Sequence, residues 1–382
     1  MDEKVLYKAL QSHFEWLHRH PETALEEFET TAYIKQFLTK NGVEILDCNM
    51  QTGLAAVIHG KRKEPVVALR CDIDALPIEE TAEVAYRSEN AGKMHACGHD
   101  FHMTALLGAV LLLKEKQDEL EGTVKFLFQP AEEAQHGAEH VLETGVLDDV
   151  NEIYALHVEP GLNPGTVAVI AGTDHAAVDR FAIDIEGVGC HAAHPDCGID
   201  PVPAAAQLIQ AFQTIVSRNI SAFDRAVISV TKIQTGTTWN VIPSSAQMEG
   251  TVRTLKKTTR RQISRRMREI CEGIATASGT QIRFSWYPGC PPTNNDAELA
   301  AFVKDTAVSL GLETQEAVPS MGGEDFSCYQ EKIRGVFWRI GVGDTSPLHN
   351  PMFKADTSGL LAAAKMLAAI SQNRLKYIAG ES

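Results

Sequence analysis

Nowhere in its 382 residues does the sequence approach the ~20 consecutive apolar residues that a membrane-spanning helix needs. Its first residues, Met1-Asp2-Glu3-Lys4, lack the basic-then-apolar pattern of a secretory signal. The cysteines (Cys48, Cys71, Cys97, Cys190, Cys197, Cys271, Cys290 and Cys328) are scattered, and no two form a C-x-x-C pair. Free thiols are therefore expected, not a disulfide framework, and with them a cytoplasmic location and no membrane partner. Positive charge is also scarce. Lys and Arg number 35 against 50 Asp and Glu, a net charge of −15. A field of that sign repels phosphate backbones, so no nucleic-acid partner is expected. No G-x-S-x-G elbow, P-loop or dinucleotide fingerprint is present. Repeats, low-complexity tracts and long linkers are missing as well.

What is present is the composition of an ordinary globular protein, 44% hydrophobic and long enough for two or three domains. Apolar residues at 5, 6, 9, 10, 14 and 17 recur at helical spacing, and a second helix is expected over 25–40, stopped by Asn41-Gly42. Strands are expected at 66–69, 124–128 and 153–156, with an apolar helix over 103–116. This alternation predicts an α/β domain around a mostly parallel sheet. From about residue 178 the pattern reads strand 180–186, helix 203–218, strands 226–233 and 246–255, helix 258–277, strand 281–287. That β-α-β-β-α-β order is the ferredoxin-like unit. A helix at 297–310 and a strand at 336–340 then resume the first pattern. The expectation is a catalytic domain of residues 1–177 and 294–382, interrupted by an inserted domain of 178–293.

Five segments carry unusual chemistry: Arg70-Cys71-Asp72-Ile73-Asp74-Ala75-Leu76-Pro77, His95-Ala96-Cys97-Gly98-His99-Asp100, Gln129-Pro130-Ala131-Glu132-Glu133, His157-Val158-Glu159-Pro160 and Leu348-His349-Asn350-Pro351. Four of them directly follow expected strands, and open α/β sheets place their sites at the carboxyl ends of parallel strands. Several carboxylates gathered in one cleft repel each other, and a divalent cation relieves the conflict. Imidazole, thiolate and carboxylate are the usual ligands of zinc and its neighbours. Cys97, His99, Glu133, His157 and His349 are five candidate ligands. One tetrahedral ion rarely uses five protein ligands, whereas a pair of ions readily does. Read singly, each has a plainer role: a hydrogen-bonded loop histidine, a buried thiol, a solvated charge pair. His95, His102, His136 and His140 keep such readings, as surface or supporting groups.

In this order the segments resemble a family of dinuclear-metal amidohydrolases that includes aminoacylases, hippurate hydrolases, N-acetyldiaminopimelate deacetylases and indoleacetyl-amino-acid hydrolases. Further matching stretches are His18-Arg19-His20-Pro21-Glu22, Asn240-Val241-Ile242-Pro243 and Met321-Gly322-Gly323-Glu324-Asp325-Phe326, so the resemblance spans nearly the whole chain. It implies two divalent ions per chain held by Cys97, His99, Glu133, His157 and His349. Zinc is favoured by the Cys97 thiolate, with manganese, nickel and cobalt as alternatives. Glu132 matches the general base. An aspartate of the 72–74 segment matches a site-orienting acid, Asp72 being preferred to Asp74. The inserted domain is expected to serve as a lid and dimer surface, in a homodimer or a dimer of dimers. His191 matches a histidine that reaches the active site across a dimer interface. Asn240 and Arg253 match substrate-contacting residues; read alone they are a turn asparagine and a surface arginine. Cys190 stands where the family usually has glycine.

The activity implied is hydrolysis of the amide bond of small N-acyl amino acids. A metallo-exopeptidase acting on dipeptides is the alternative, since both substrates are amides beside a carboxylate. A non-catalytic metal-storage protein would need neither Glu132 beside a ligand nor polar residues in a lid.

Overall fold

The computed structural model describes residues 2–134 and 137–380; His136 lies outside them. The chain divides into two compact units, one of Met1–Asp174, Asn294–Val318 and Asp325–Ser382, the other of His175–Thr293 and Pro319–Glu324.

The larger unit is built on an eight-stranded sheet. In spatial order its strands are Glu44–Leu46, Leu54–His59, Thr123–Gln129, Val66–Asp72, Glu152–Glu159, Arg334–Gly341, Val167–Val169 and Thr314–Glu316. The four central strands, from Thr123–Gln129 to Arg334–Gly341, are mutually parallel, so their carboxyl ends finish at one edge. Strands Val66–Asp72 and Thr123–Gln129 are buried along their whole length, as parallel strands covered on both faces must be. The fold class is α/β with a largely parallel central sheet.

Helix Glu3–Arg19 begins where the Asp2 carboxylate accepts the Lys4 and Val5 N–H groups, and it buries Leu6, Leu10, Phe14 and Leu17 as their spacing dictates. The central helix starts at His99, not near residue 103, and runs to Glu115. Its first turn holds His99, Asp100 and His102, polar groups that hide helical periodicity in the sequence yet are all buried. Elements with no counterpart among the expected ones include helix Leu360–Ile378, which packs along His99–Glu115, and the strand Leu54–His59. Gly98, at φ 80°, caps the central helix; a Cβ there would lie 2.5 Å from Val158 Cγ2, so only glycine lets helix and strand approach this closely.

The second unit has the order strand Ala177–Glu186, helix Pro201–Thr214, strand Ala226–Thr235, strand Ser245–Thr254, helix Lys257–Ser278, strand Gln281–Pro288. Its four strands form an antiparallel sheet with Ser245–Thr254 and Ala177–Glu186 at the centre, a ferredoxin-like arrangement. Phe181, Ile183, Leu208, Phe212, Ile263 and Met267 fill its core. Residues 319–324, expected from sequence in the larger domain, group with this unit. Ser320 bridges to His175, and Gly322 O accepts the Ala176 N–H at 2.9 Å. Among the described residues no helix is long and apolar enough to cross a membrane.

Candidate metal centre

The loops leaving the carboxyl ends of the parallel strands carry Asp74, Glu132 and Glu133, and His349, while Asp72 ends its own strand and His157 lies near the end of its own. Cys97 precedes the central helix and His99 opens it. Three groups of donor atoms, each within 4.8 Å of one another, overlap: Cys97, His99 and His157; Cys97, Glu133 and His349; and His99, Glu132 and Glu133. All five sequence-derived ligand candidates are thus brought together with Glu132, and Cys97 is shared by two groups.

Hydrogen bonds fix which nitrogen each imidazole offers. His99 Nδ1 donates to the Asp74 carbonyl at 2.8 Å, leaving Nε2 without a hydrogen-bond partner and facing the other donors. His157 Nδ1 donates to the Val158 carbonyl at 2.8 Å, and its Nε2 lies 3.4 Å from Cys97 Sγ. Backbone acceptors on the far nitrogen are how proteins aim ligating histidines. His349 Nε2 is 3.2 Å from Glu133 Oε1. Two non-glycine residues here adopt left-handed backbone, Ala131 at φ 57° and His349 at φ 62°. Such conformations cost of order 1–3 kcal/mol each and gather at functional sites.

The electrostatics are those of a cation site. Burial opposes charge on His99, yet Asp72, Asp74 and Glu133 overcome it and raise the imidazole to about 10. Burial, then Glu133, Glu132 and Asp72, push the Cys97 thiol well above its usual range. Burial and the neighbouring His102 hold His157 well below its ordinary value. Glu133 resists its own desolvation through His349 and His99 and stays below the usual carboxyl range. Carboxylates that draw positive charge onto His99, a His157 imidazole held neutral and a thiol that needs a positive neighbour to ionise fit divalent metal.

Behind the donors lies a buried polar lattice that sequence reasoning missed. Arg70 donates 2.7 Å bonds to Asp72 Oδ2 and to Asp325 Oδ1, and its Nε reaches Gln129 Oε1 at 2.8 Å. Asp325 also accepts Gln129 Nε2 at 2.7 Å and the Ala138 N–H at 2.9 Å, while its own N–H lies 3.5 Å from Glu132 Oε1. His102, read from sequence as a surface or supporting group, is fully buried. It accepts the Val158 N–H at Nε2 and donates from Nδ1 to Asp72 Oδ1 at 2.6 Å. Burial works against the Asp72 charge, but His99, His102 and Arg70 hold that carboxyl well below its normal range. Asp74 acts on two neighbours at once. Its Oδ2 accepts the Glu133 N–H at 2.9 Å, and its Oδ1 lies 3.4 Å from His99 Nδ1. His18 bridges Asp100 Oδ2 at 2.6 Å and Glu80 Oε1 at 3.1 Å. His95, another of the histidines given a plain reading, is buried without a hydrogen-bond partner, and burial lowers it to about 3.

In the inserted unit His191 pairs with Val241 across a two-stranded ladder, and the Ala192 N–H bonds Asn240 O at 3.1 Å, so His191 and Asn240 are neighbours. Arg253 sits on strand Ser245–Thr254, its Nε 3.1 Å from Thr251 Oγ1.

Fold and site together define a metal-dependent hydrolase. The chain belongs to Peptidase family M20/M25/M40, whose model matches residues 68–373. It is 45% identical to an N-acetylcysteine deacetylase of Bacillus subtilis (strain 168), over 97% of this chain and 98% of that protein. It is 38% identical to the IAA-amino acid hydrolase ILR1-like 5 of Arabidopsis thaliana, over 95% of this chain and 87% of the relative. The crystal structure of the Bacillus subtilis YXEP protein, a dinuclear metal binding peptidase from the M20 family, superposes with a TM-score of 0.91 at 41% identity, covering 98% of this chain and 99% of that one.

Proposed function

We propose that the protein hydrolyses the amide bond of small N-acyl amino acids, releasing a carboxylate and a free amino acid. The observation that carries this reading is the pair of overlapping donor groups sharing Cys97, with the Glu132 carboxylate alongside. Cys97, His99, Glu133, His157 and His349 would hold two divalent ions, zinc ahead of manganese, nickel or cobalt because a thiolate prefers a borderline ion. Such ions lower the pKa of bound water from ~15.7 towards ~7 and polarise a carbonyl. Glu132 takes the proton from the attacking water and returns it to the departing amine. Asp72, locked by Arg70 and His102, keeps the carboxylate field beside His99 in place, while Asp74 aims His99 and steadies the Glu133 backbone.

The family motifs, with the names of the relatives, support three further roles. His191 stabilises the oxyanion of the tetrahedral intermediate, where loss of one donor typically costs ~10²–10³ in turnover. Arg253 pairs with the substrate carboxylate, and Asn240 contacts the substrate. The inserted unit is the lid and dimer surface of a homodimer, and the cytoplasm is its location. A panel of N-acetyl, N-benzoyl and N-indoleacetyl amino acids beside free dipeptides, scored by amine release with each metal, tests the reading. Turnover of acylated amino acids with dipeptides left intact is the expected result; the reverse pattern would make the protein an exopeptidase.

A further inference from the structure

Six of the eight cysteines are buried; Cys197 is exposed and Cys190 partly so. The two accessible thiols lie in one short loop. Val188 and Ile199 close that loop as a hydrogen-bonded antiparallel pair, with Val188 N to Ile199 O at 2.8 Å and Ile199 N to Val188 O at 3.0 Å. Cys190 and Cys197 stand two residues inward from Val188 and Ile199, one on each arm of the loop that this isolated bridge closes. A Cβ built on Gly198 would lie 2.6 Å from Cys190 Sγ and 3.2 Å from Cys190 Cβ, which puts the Cys190 side chain against the residue next to Cys197. The two-residue strand Cys190–His191 packs on the short helical turn Pro195–Cys197. Between the two thiols sit His191 and His194, their rings 5.6 Å apart.

We propose that Cys190 and Cys197 form a reversible dithiol–disulfide site, whose oxidant is a low-molecular-weight disulfide and whose closure pins the loop that carries His191. The exposed Cys197 thiolate attacks one sulfur of the small disulfide, forming a mixed disulfide and expelling one thiolate. Cys190, deprotonated by solvent, then attacks Cys197 Sγ and expels the second. Two protein thiols lose two electrons and two protons, and the small disulfide becomes two thiols. Cys190 is the less exposed of the two thiols, so Cys197 meets the small disulfide first and Cys190 resolves the mixed disulfide. Cys97 is buried, and in the metal-loaded protein its sulfur is the proposed metal ligand, so it does not compete. The consequence for turnover rests on the oxyanion role proposed above for His191.

The test treats metal-loaded protein with oxidised glutathione and reads three things: thiols titratable in denaturant, disulfide-linked peptides by mass, and amide release. Loss of two thiols, a 190–197 linkage and a turnover loss of at least about tenfold, reversed by dithiothreitol, are expected. Cys197→Ser should keep its basal activity and escape the inhibition. Glutathione held on one cysteine with no 190–197 linkage overturns the site. Linkage in an active enzyme with turnover unchanged overturns its control of the reaction. A reduced protein that cleaves no N-acyl amino acid indicts the functional reading instead, and the peptide masses with hydrogen exchange over residues 191–196, expected to slow on oxidation, still decide the site.

Discussion

Around the strand ends of the larger unit, charge is sealed away from water: Arg70, Asp72, His99, His102 and Asp325 are each no more than 1% exposed. The inserted unit is arranged the other way. Its interior is apolar, built on Phe181, Leu208, Phe212 and Ile263, and its proposed functional residue His191 stands exposed. Buried ionic groups are stable only when every partner is present, and removing one leaves an uncompensated charge. The larger unit therefore holds its donor atoms in a rigid lattice of fixed tautomers, the preorganisation that electrostatic catalysis needs. The inserted unit rests on hydrophobic packing, which tolerates side-chain change at its surface.

Substitutions should separate these two constructions. The largest effect is expected from Glu132→Gln. It should lower turnover by roughly 10²–10⁴-fold with bound metal unchanged, measured by steady-state kinetics and elemental analysis. Arg70→Met comes next. It removes the cation that Asp72 and Asp325 share and should cost about 3–5 kcal/mol in urea unfolding, with weakened metal retention. Leu208→Ala in the inserted core should cost about 2–5 kcal/mol by the same measurement, yet leave metal content per folded chain intact. If Leu208→Ala strips metal as Arg70→Met does, the contrast between the units fails.

The smallest effect concerns pH. Burial opposes charge on His18, but Asp100 and Glu80 outweigh it and raise the group from 6.5 to about 9. A folded-state pKa above the unfolded one gives stability that is fully present below pH 6.5 and is lost as pH rises through about 9. Relative to His18→Gln, the wild type should lose stability across that window, read from urea midpoints at successive pH values.

Much of the site is legible in the sequence because ligand chemistry is conspicuous. Cys97, His99, Glu133, His157 and His349 are residue types that seldom gather at strand ends without a cation, and the structure brings them together. The supporting lattice is not legible. Arg70 and Asp325 are 255 positions apart, and nothing local in either marks a buried pair. His102 looks like one more helix-surface histidine, because its partners Asp72 and the Val158 N–H come from two different strands. The first turn of the central helix escapes for a related reason: its polar residues break the apolar spacing but are buried by long-range partners. Residues 319–324 join the inserted unit through pairings with His175 and Ala176, a contact that sequence proximity does not reveal.

Metal stoichiometry tests the central claim most directly. Protein stripped by chelator, reloaded in turn with zinc, manganese, cobalt and nickel, and dialysed, should retain two ions per chain for at least one of them by elemental analysis. Cys97→Ala, which removes a donor common to two of the groups, should fall below that value. Retention of no ion by the wild type, or of two by the Cys97→Ala variant, would contradict the account.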